Sequence, residues 1–376
     1  MSQSHAQGGG NEDVLSIREL KLKFHTYAGE VSALDGISLS IKKGELLGLV
    51  GESGCGKSVT ALAIAGLLPQ NAEITNGDVI LDGKNMLTLE PEEMRLARLK
   101  DIAMIFQDPM TYLNPVFTIG SQMVEITQAE PKLFVSTLVA HRLRQIDKEA
   151  KGGEQGPKLL AERENLAESL RTQRLGRREL NELTKSYSIS LLRSVRLPEP
   201  EKVFEMYPFE LSGGMRQRVM IAMAMMRRPK LLLADEITTA LDVTVQAQIL
   251  HLMKELRSEI NSSVLLITHD LAIVSEVCDR VAVMYAGNIV EIADVQELFR
   301  NPLHPYTKGL LASVPRADVD KIPDSIEGSV PDLLFPPGGC RFNPRCPKAF
   351  DVCPSKKPSL IEAVPNHYVS CFLYGG

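Results

Sequence analysis

The sequence predicts an α/β fold with a mainly parallel sheet, on three observations. Short apolar runs alternate with amphipathic helical segments through the first 300 or so residues. One such run, Leu46–Val50, leads into the glycine-rich stretch 51–58, and a helical pattern follows over 58–68. A second apolar run, 230–234, ends in the carboxylates Asp235 and Glu236. Because strands followed by polar loops build sites at the edge of a parallel sheet, this order predicts a phosphate-binding α/β domain.

Length and composition limit the classes of protein that this chain can be. With 376 residues it exceeds the usual size of one domain, so we expect one large domain and a smaller one. The net charge of −5 argues against a general nucleic-acid binder. No apolar run is long enough to span a membrane. Residues 1–13 are polar and glycine-rich with no apolar core, so they are predicted to be a disordered tail rather than a secretory signal.

The remaining elements follow from hydrophobic periodicity. Alternating runs predict strands at 15–24, 33–41, 77–81 and 102–106, and an apolar run predicts a buried strand at 264–268. Helical spacing is present over 213–228 and 243–256. The charged segment 127–192 is predicted to form two or more exposed helices with a loop at 151–157. After residue 301 proline becomes frequent and periodicity is lost, which indicates a small irregular domain over 301–376.

The glycine-rich stretch fits the pattern G-x-x-x-x-G-K-[ST] in full. Its glycines let successive backbone N–H groups converge on a phosphate, and the N-terminus of the following helix also favours an anion. Lys57 would reach the β- and γ-phosphate oxygens, and the Ser58 hydroxyl would bind Mg²⁺. We interpret Cys55 as a small filler, since its side chain is not needed for the cradle. The predicted nucleotide-binding residues of this loop are Gly51, Ser53, Gly54, Cys55, Gly56, Lys57, Ser58 and Val59.

Two carboxylates and a second glycine-rich helix start extend this site. Mg²⁺ requires oxygen ligands and hydrolysis requires a base, which suits Asp235 near the metal and Glu236 near the γ-phosphate. The stretch Leu211-Ser212-Gly213-Gly214-Met215-Arg216-Gln217 stands directly before a helix and offers another anion site. Two phosphate-binding helix starts in one chain suggest that ATP lies between two copies or two homologous chains.

In these motifs the chain resembles the ATP-binding cassette (ABC) ATPases. The motifs GESGCGKS, FQD with Gln107, LSGGM, LADE, ALD with Asp242 and ITHD with His269 stand in the family's order over about 14–300. The resemblance implies a P-loop NTPase fold, an ABC nucleotide-binding domain with a RecA-like core, an antiparallel β subdomain and a helical signature subdomain.

The resemblance also implies roles for individual residues. Glu236 would be the general base, His269 would hold the γ-phosphate and the attacking water, and Lys57 would assist catalysis. Gln107 would sense Mg²⁺, with Ser58 and Asp235 as further Mg²⁺ ligands, and would contact a transmembrane partner. Residues expected to bind the opposite subunit's ATP or to signal across the dimer are Ser212, Gly213, Gly214, Gln217 and Asp242. Phe24 and Tyr27 are both candidates for stacking on adenine. Ile237 stands where the family usually has proline, so we expect altered local rigidity with hydrolysis retained.

The C-terminal segment resembles one branch of this family, the oligopeptide/dipeptide/nickel importer ATPases. The resemblance lies in NPLHPYTKGLL at 301–311 and CRFNPRCP at 340–347. It implies the ATP-hydrolysing subunit of a peptide importer, with nickel chelates or oligosaccharides as alternative cargo and a non-transport ABC ATPase as a less favoured reading. The implied partners are a homologous second ATPase subunit, two transmembrane permease subunits and an extracytoplasmic substrate-binding protein, with no nucleic acid. The implied location is the cytoplasmic face of the plasma membrane, as a peripheral subunit.

Four cysteines cluster in the same segment: Cys340, Cys346, Cys353 and Cys371. Thiolates bind soft metals, and four of them suit either Zn²⁺ or an iron–sulfur cluster. Structural zinc sites usually contain a C-x₂₋₄-C pair, which this spacing lacks, and the family resemblance also favours a [4Fe-4S] cluster over zinc, with unligated buried cysteines as a further alternative. Such a centre would supply cohesion to a segment with little core. The segment 127–192 is longer than in relatives, and it is either a solvated face or an added contact with the transporter, a regulator or anionic lipid.

Overall fold

The computed structural model describes residues 13–106, 109–151, 157–237, 242–313 and 326–375. Its strands, numbered in chain order, are β1 Asp13–Thr26, β2 Gly29–Lys42, β3 Leu46–Val50, β4 Ala72–Leu81, β5 Lys84–Asn85, β6 Ile102–Ile105, β7 Leu231–Asp235, β8 Ser263–Thr268, β9 Arg280–Tyr285, β10 Asn288–Asp294, β11 Ile361–Val364 and β12 His367–Val369. Its helices are α1 Lys57–Ala65, α2 Pro91–Lys100, α3 Pro109–Tyr112, α4 Ile119–Gln128, α5 Pro131–Lys151, α6 Pro157–Thr172, α7 Arg177–Ser194, α8 Pro200–Glu205, α9 Gly213–Met225, α10 Val243–Ile260, α11 Leu271–Val277, α12 Val295–Arg300 and α13 Pro305–Ala312.

The chain divides into two compact units. The first comprises Met1–Arg98, Lys230–Glu236 and Lys254–Gly376, and the second comprises Leu99–Pro229 and Ile237–Met253. The predicted tail 1–13 lies outside the described residues except for Asp13, which begins β1.

The first unit contains a sheet whose strands run β11-β12-β10-β9-β3-β8-β7. Strands β9, β3, β8 and β7 are parallel, and β3, β7 and β8 are buried along their whole length. This accounts for their continuous apolar runs, since both faces of a parallel sheet are covered. Strands β10, β12 and β11 add to one side in antiparallel pairing. The predicted parallel sheet is therefore confirmed for its central strands, and its other strands are antiparallel.

A second sheet of the first unit is antiparallel and runs β2-β1-β4-β5. Strands β1 and β2 pair along nearly their full length, from Asp13 opposite Lys42 to Thr26 opposite Gly29. Their alternating pattern places Leu15, Ile17 and Leu22 in the core with almost no exposed surface. This sheet is the antiparallel β subdomain implied by the family resemblance.

The second unit is largely helical, and its helices pack more tightly than the sequence suggested. The predicted helices of 127–192 are present as α5, α6 and α7, but the expectation that they are exposed is wrong for one face of each. Phe134, Leu138, Leu166 and Leu191 are all buried, because α5 packs against both α6 and α7. The charged residues that dominate the composition occupy the opposite faces, for example Arg163 and Arg178. An added partner contact by this segment stays a prediction.

The C-terminal segment is joined to the first unit's sheet. His367–Val369 pairs with β10, and Glu291 of β10 accepts hydrogen bonds from the backbone N–H groups of Leu303 and His304 and lies 2.7 Å from Nε2 of His367. Glu291 and His367 have no exposed surface. The segment is therefore irregular, as predicted, yet fixed by a buried polar network. In the described part of the chain, no helix has the length and apolar character needed to cross a bilayer.

Candidate active site

The glycine-rich loop lies between β3 and α1, and its backbone requires glycine at two points. At Gly51, with φ of 157°, a Cβ atom would lie 2.1 Å from the carbonyl oxygen of Met284. At Gly56, with φ of 109°, a Cβ atom would lie 2.8 Å from Cδ2 of Leu34. The loop is thus fitted closely against β9 and β2, which fixes its course for a phosphate to bind.

Lys57, the cation of the loop, is buried, with 5% of its surface exposed. Its Nζ donates hydrogen bonds to the carbonyl oxygens of Gly51 at 2.8 Å and Glu52 at 3.0 Å. These bonds compensate the buried ammonium group and hold it beside the loop. Cys55 is fully buried, and burial raises the pKa of its thiol, so it remains a neutral filler as predicted. Ser53, Gly54 and Ser58 are exposed to an incoming ligand.

Ser58 and Asp235 come together as the sequence predicted for a Mg²⁺ site. Oγ of Ser58 donates a hydrogen bond to Oδ1 of Asp235 at 3.1 Å. Burial raises the pKa of Asp235, while the hydrogen bond from Ser58 and the charge of Lys57 act in the opposite direction. Two adjacent oxygens, one of them from a buried carboxyl group, form a donor set that suits Mg²⁺.

Glu236 and His269 also lie together, at the ends of β7 and β8. Oε1 of Glu236 is 3.4 Å from Nδ1 of His269, and the Glu236 side chain is 17% exposed while that of His269 is 54% exposed. Glu236 has a φ of 47°, a left-handed value that is uncommon for a non-glycine residue. Its backbone N–H donates to the carbonyl oxygen of Ile267, which fixes this turn. Strained backbone of this kind often occurs at functional sites. Ile237 is buried, so it acts here as a packing residue.

The second glycine-rich helix start is in the second unit. Ser212 caps α9, and its Oγ accepts a hydrogen bond from the backbone N–H of Met215. A Cβ atom at Gly214 would lie 2.9 Å from Cγ1 of Val245, so a larger residue there would require the Val245 side chain to move. Gln217 is buried, and its Nε2 has no hydrogen-bond partner among the described residues. Asp242 is exposed, and its Oδ1 accepts from the N–H of Val245 at the start of α10.

Four further candidates for the nucleotide site lie in different surroundings. Gln107 lies outside the described residues. Phe24 is partly buried within β1, whereas Tyr27 is fully exposed in the turn between β1 and β2. Val59 is partly buried in the first turn of α1.

The four C-terminal cysteines influence one another without forming a metal site. The pKa of Cys340 is raised to about 11, chiefly by burial and in smaller part by the charges of the other three cysteines, while a hydrogen bond with the backbone of Phe342 acts in the opposite direction. All four thiols are free. Among the described residues, however, no group of three or more His, Cys, Asp or Glu side chains could hold a metal ion. As placed here, these residues do not fit a cluster or a zinc ion, and the predicted metal centre is not supported by the structure.

Sequence reasoning missed the contact between the C-terminal segment and the phosphate loop. Tyr306 and Arg345 both bind Glu52, the second residue of the loop. The sequence gives little indication of this contact, because Tyr306 and Arg345 are distinguished only as members of the stretches 301–311 and 340–347. Nothing in the chain order indicates that these stretches lie beside residue 52.

The chain matches two known protein families. The family described as ABC transporter matches residues 34–239, and the family described as oligopeptide/dipeptide transporter, C-terminal region, matches residues 290–353. The dipeptide transport ATP-binding protein DppD of Bacillus subtilis is 43% identical over 364 residues, which cover 96% of this chain and 95% of the relative. The oligopeptide transport ATP-binding protein OppD of Escherichia coli is 42% identical over 360 residues, which cover 96% of this chain and 93% of the relative.

Solved structures show the same fold at lower identity. An ATP-binding cassette described as a dimer in a post-hydrolysis state with ADP and Pi has a TM-score of 0.55 and 23% identity. It covers 75% of this chain and 98% of its own length. The cbiO1 protein of Clostridium perfringens, described as part of an ABC transporter complex, has a TM-score of 0.55 and 22% identity and covers 77% of this chain and 92% of its own.

Proposed function

The chain belongs to the ATP-binding protein family of ABC transporters and is an ATPase of that family, and from that premise we propose that it energises the import of di- and oligopeptides. The observation that carries the peptide assignment is the C-terminal region at 290–353, which matches the oligopeptide/dipeptide transporter family. Three relatives that are 42% or 43% identical are named for dipeptide or oligopeptide transport, and they match nearly the whole chain.

ATP hydrolysis follows from the residues around the phosphate loop. The loop amides and Lys57 bind the β- and γ-phosphates. When ATP binds, Lys57 replaces its hydrogen bonds to Gly51 and Glu52 with bonds to phosphate oxygens. This replacement costs little free energy, because the ammonium charge stays compensated. Ser58 and Asp235 would hold Mg²⁺, which when bound would neutralise charge on the phosphates. Glu236 orients and deprotonates the attacking water, and His269, 3.4 Å away, positions Glu236 and the γ-phosphate.

The second half of the site is proposed to come from another subunit. Ser212 and the N–H groups at the start of α9 form an anion-binding helix start in which the glycines leave the backbone accessible. We propose that they bind the γ-phosphate of ATP held by a homologous second ATPase, with Gly213, Gly214 and Gln217 as further residues of this nucleotide contact. Asp242 at the start of α10 would transmit the nucleotide state of one subunit to the other.

The remaining partners are proposed from the family. Two transmembrane permease subunits would receive the ATPases at the cytoplasmic face of the membrane, with Gln107 in the contact, and an extracytoplasmic binding protein would deliver the peptide. Copurification with the permease subunits, followed by ATPase assay in proteoliposomes with peptide-loaded binding protein, tests this assignment. We expect peptides to stimulate ATP hydrolysis. Stimulation by nickel chelates or oligosaccharides instead would overturn the peptide assignment, and ATPase activity unaffected by any permease would overturn the transport role.

We propose that the C-terminal segment holds a [4Fe-4S] cluster, for which Cys340, Cys346, Cys353 and Cys371 would be the ligands; the described placement of these thiols does not itself form a metal site. The number of thiols and the small core of the segment support this proposal. Iron, acid-labile sulfide and zinc should be measured on the full chain purified without oxygen. Stoichiometric iron and sulfide that disappear in the Cys346→Ala variant are expected. Zinc alone, or no metal, would contradict the cluster.

A further inference from the structure

Within the described residues, the hydrogen bonds between the C-terminal segment and the phosphate loop converge on Glu52. The backbone N–H of Glu52 donates a hydrogen bond to Oη of Tyr306 at 3.1 Å. Nη1 of Arg345 donates to the two carboxylate oxygens of Glu52 at 3.1 and 3.2 Å. The carbonyl oxygen of Glu52 accepts from Nζ of Lys57. Glu52 is thus fixed at its backbone nitrogen, its backbone oxygen and its side chain.

Arg345 is itself held on several sides, so it presents a fixed partner to the loop. Its Nε donates to the carbonyl oxygen of Glu327 at 2.9 Å, and its Nη2 donates to that of Ile326 at 3.3 Å. Its Nη1 also lies 3.3 Å from Oη of Tyr285, over whose ring the guanidinium is placed. Only 7% of the Arg345 side chain is exposed. A guanidinium with its donors occupied in this way loses little further freedom when it binds a carboxylate.

The hydroxyl of Tyr306 is aimed at the loop by aromatic packing. The rings of Tyr306 and Tyr285 are 4.7 Å apart, and Phe342 packs against both at 5.4 and 5.0 Å. Tyr306 is fully buried. Since the ring cannot move freely, its oxygen stays within reach of the Glu52 N–H.

The negative charge of Glu52 makes its contact with Arg345 important for nucleotide binding. Glu52 stands between Gly51 and Ser53, whose backbone belongs to the phosphate cradle. An unpaired carboxylate at that place would repel the phosphates of ATP, and the repulsion would be strong because the site is only partly solvated. Arg345 neutralises the carboxylate and holds it on the side of the C-terminal segment.

We propose that Arg345 and Tyr306 are positioning residues that keep the phosphate loop in its nucleotide-binding conformation. Arg345 acts by compensating the charge of Glu52, and Tyr306 acts by holding the Glu52 backbone. The proposal rests on the loop binding ATP. It assigns the C-terminal segment a direct part in nucleotide affinity.

A second arginine of the same segment supplies a matched control. Arg341 is as buried as Arg345, and it donates to Oγ and the carbonyl oxygen of Ser32 and to the carbonyl oxygen of Ala286. It makes no contact with Glu52 that the structure describes. Loss of Arg341 therefore tests general damage to the segment, whereas loss of Arg345 tests the contact with the loop.

The test measures MgADP affinity by calorimetry, together with kcat and KM for ATP and the melting temperature, on the full chain. We expect Arg345→Met to raise the Kd and KM by about tenfold with little change in kcat. Arg345→Lys should have a smaller effect, because it keeps the charge. Tyr306→Phe, which removes only the hydroxyl, should raise the Kd about threefold. Arg341→Met should change the Kd by less than about twofold.

Restoration by a second substitution separates positioning from a merely structural role. In the Arg345→Met background, Glu52→Gln removes the uncompensated charge and should return the Kd most of the way to the wild-type value. The proposal is overturned if Arg345→Met changes affinity no more than Arg341→Met, or if Glu52→Gln brings no recovery. Wild-type chain that binds no MgADP would instead refute nucleotide binding by the loop, a result distinct from either.

Discussion

The two phosphate-binding regions of this chain differ in how many of their contacts they supply themselves. In the first unit, Lys57 is bonded to the loop carbonyls, Ser58 to Asp235, and Glu236 lies beside His269. In the second unit, the Ser212 side chain caps its own helix, and Ser212 is exposed. The first region is assembled before nucleotide arrives, whereas the second presents an open helix start. The difference is consistent with the proposal that the first region carries the chemistry and that the second recognises nucleotide held by another subunit.

The largest expected effect is on the chemistry of the first region. Glu236→Gln keeps the size of the side chain but removes the base, so kcat should fall by roughly 10²- to 10⁴-fold. MgATP affinity should stay close to the wild-type value, because Lys57 and the loop amides are unchanged. Glu276 is exposed, so the substitution Glu276→Gln is the matched control and should leave kcat unchanged. A Glu236→Gln protein that still hydrolyses ATP at more than a tenth of the wild-type rate would assign the base to another residue.

A second prediction is that the stability of the helical unit can be lowered without changing nucleotide affinity. Leu166 of α6 is 1% exposed and Leu160 of the same helix is 66% exposed. Leu166→Ala should lower the free energy of unfolding by about 2 to 4 kcal/mol, and Leu160→Ala by less than about 0.5 kcal/mol. MgADP affinity should be unaffected in both. Equal stability of the two variants, measured by denaturant unfolding, would show that the packing of α5, α6 and α7 is not as described.

A third prediction concerns which aromatic residue of the first region stacks on adenine. Tyr27 is fully exposed and Phe24 is partly buried, so we expect Tyr27 to stack on the base. Tyr27→Ala should raise the Kd for MgATP by about tenfold, whereas Tyr27→Phe should leave it nearly unchanged. Phe24→Leu serves as the comparison. If Phe24→Leu weakens binding more than Tyr27→Ala does, the stacking residue is Phe24.

The smallest expected effect concerns the pH dependence of stability. Burial raises the pKa of Asp235 above its ordinary value of 3.8, so ionisation of this carboxyl destabilises the folded chain as pH rises through the raised pKa. Without nucleotide, Asp235→Asn should therefore melt a few degrees higher than wild type at pH 7, and the difference should narrow toward pH 4. MgATP should stabilise the wild type more than the variant, because the carboxylate then binds Mg²⁺. A variant that melts lower than wild type at pH 7 would contradict this sign.

Local sequence patterns were sufficient for most of the first region. The cradle is one continuous segment, and Asp235, Glu236 and His269 each end a buried strand, so chain order alone places them at one sheet edge. The pairing of Glu52 with Arg345 spans 293 positions and involves residues without a local pattern, so it could not be predicted. The buried faces of α5 and α6 were missed for another reason: charged residues dominate their composition and mask a narrow apolar stripe.

The measurement that tests the central claim most directly is the ATPase rate as a function of subunit concentration. The chain would be assayed with its homologous second ATPase, as wild type and as Ser212→Arg, which places a large side chain at the open helix start. If the site is completed by another subunit, specific activity rises with concentration to a plateau, and Ser212→Arg abolishes turnover while MgADP still binds the loop. Full activity of the isolated monomer, independent of concentration and insensitive to Ser212→Arg, would contradict the account.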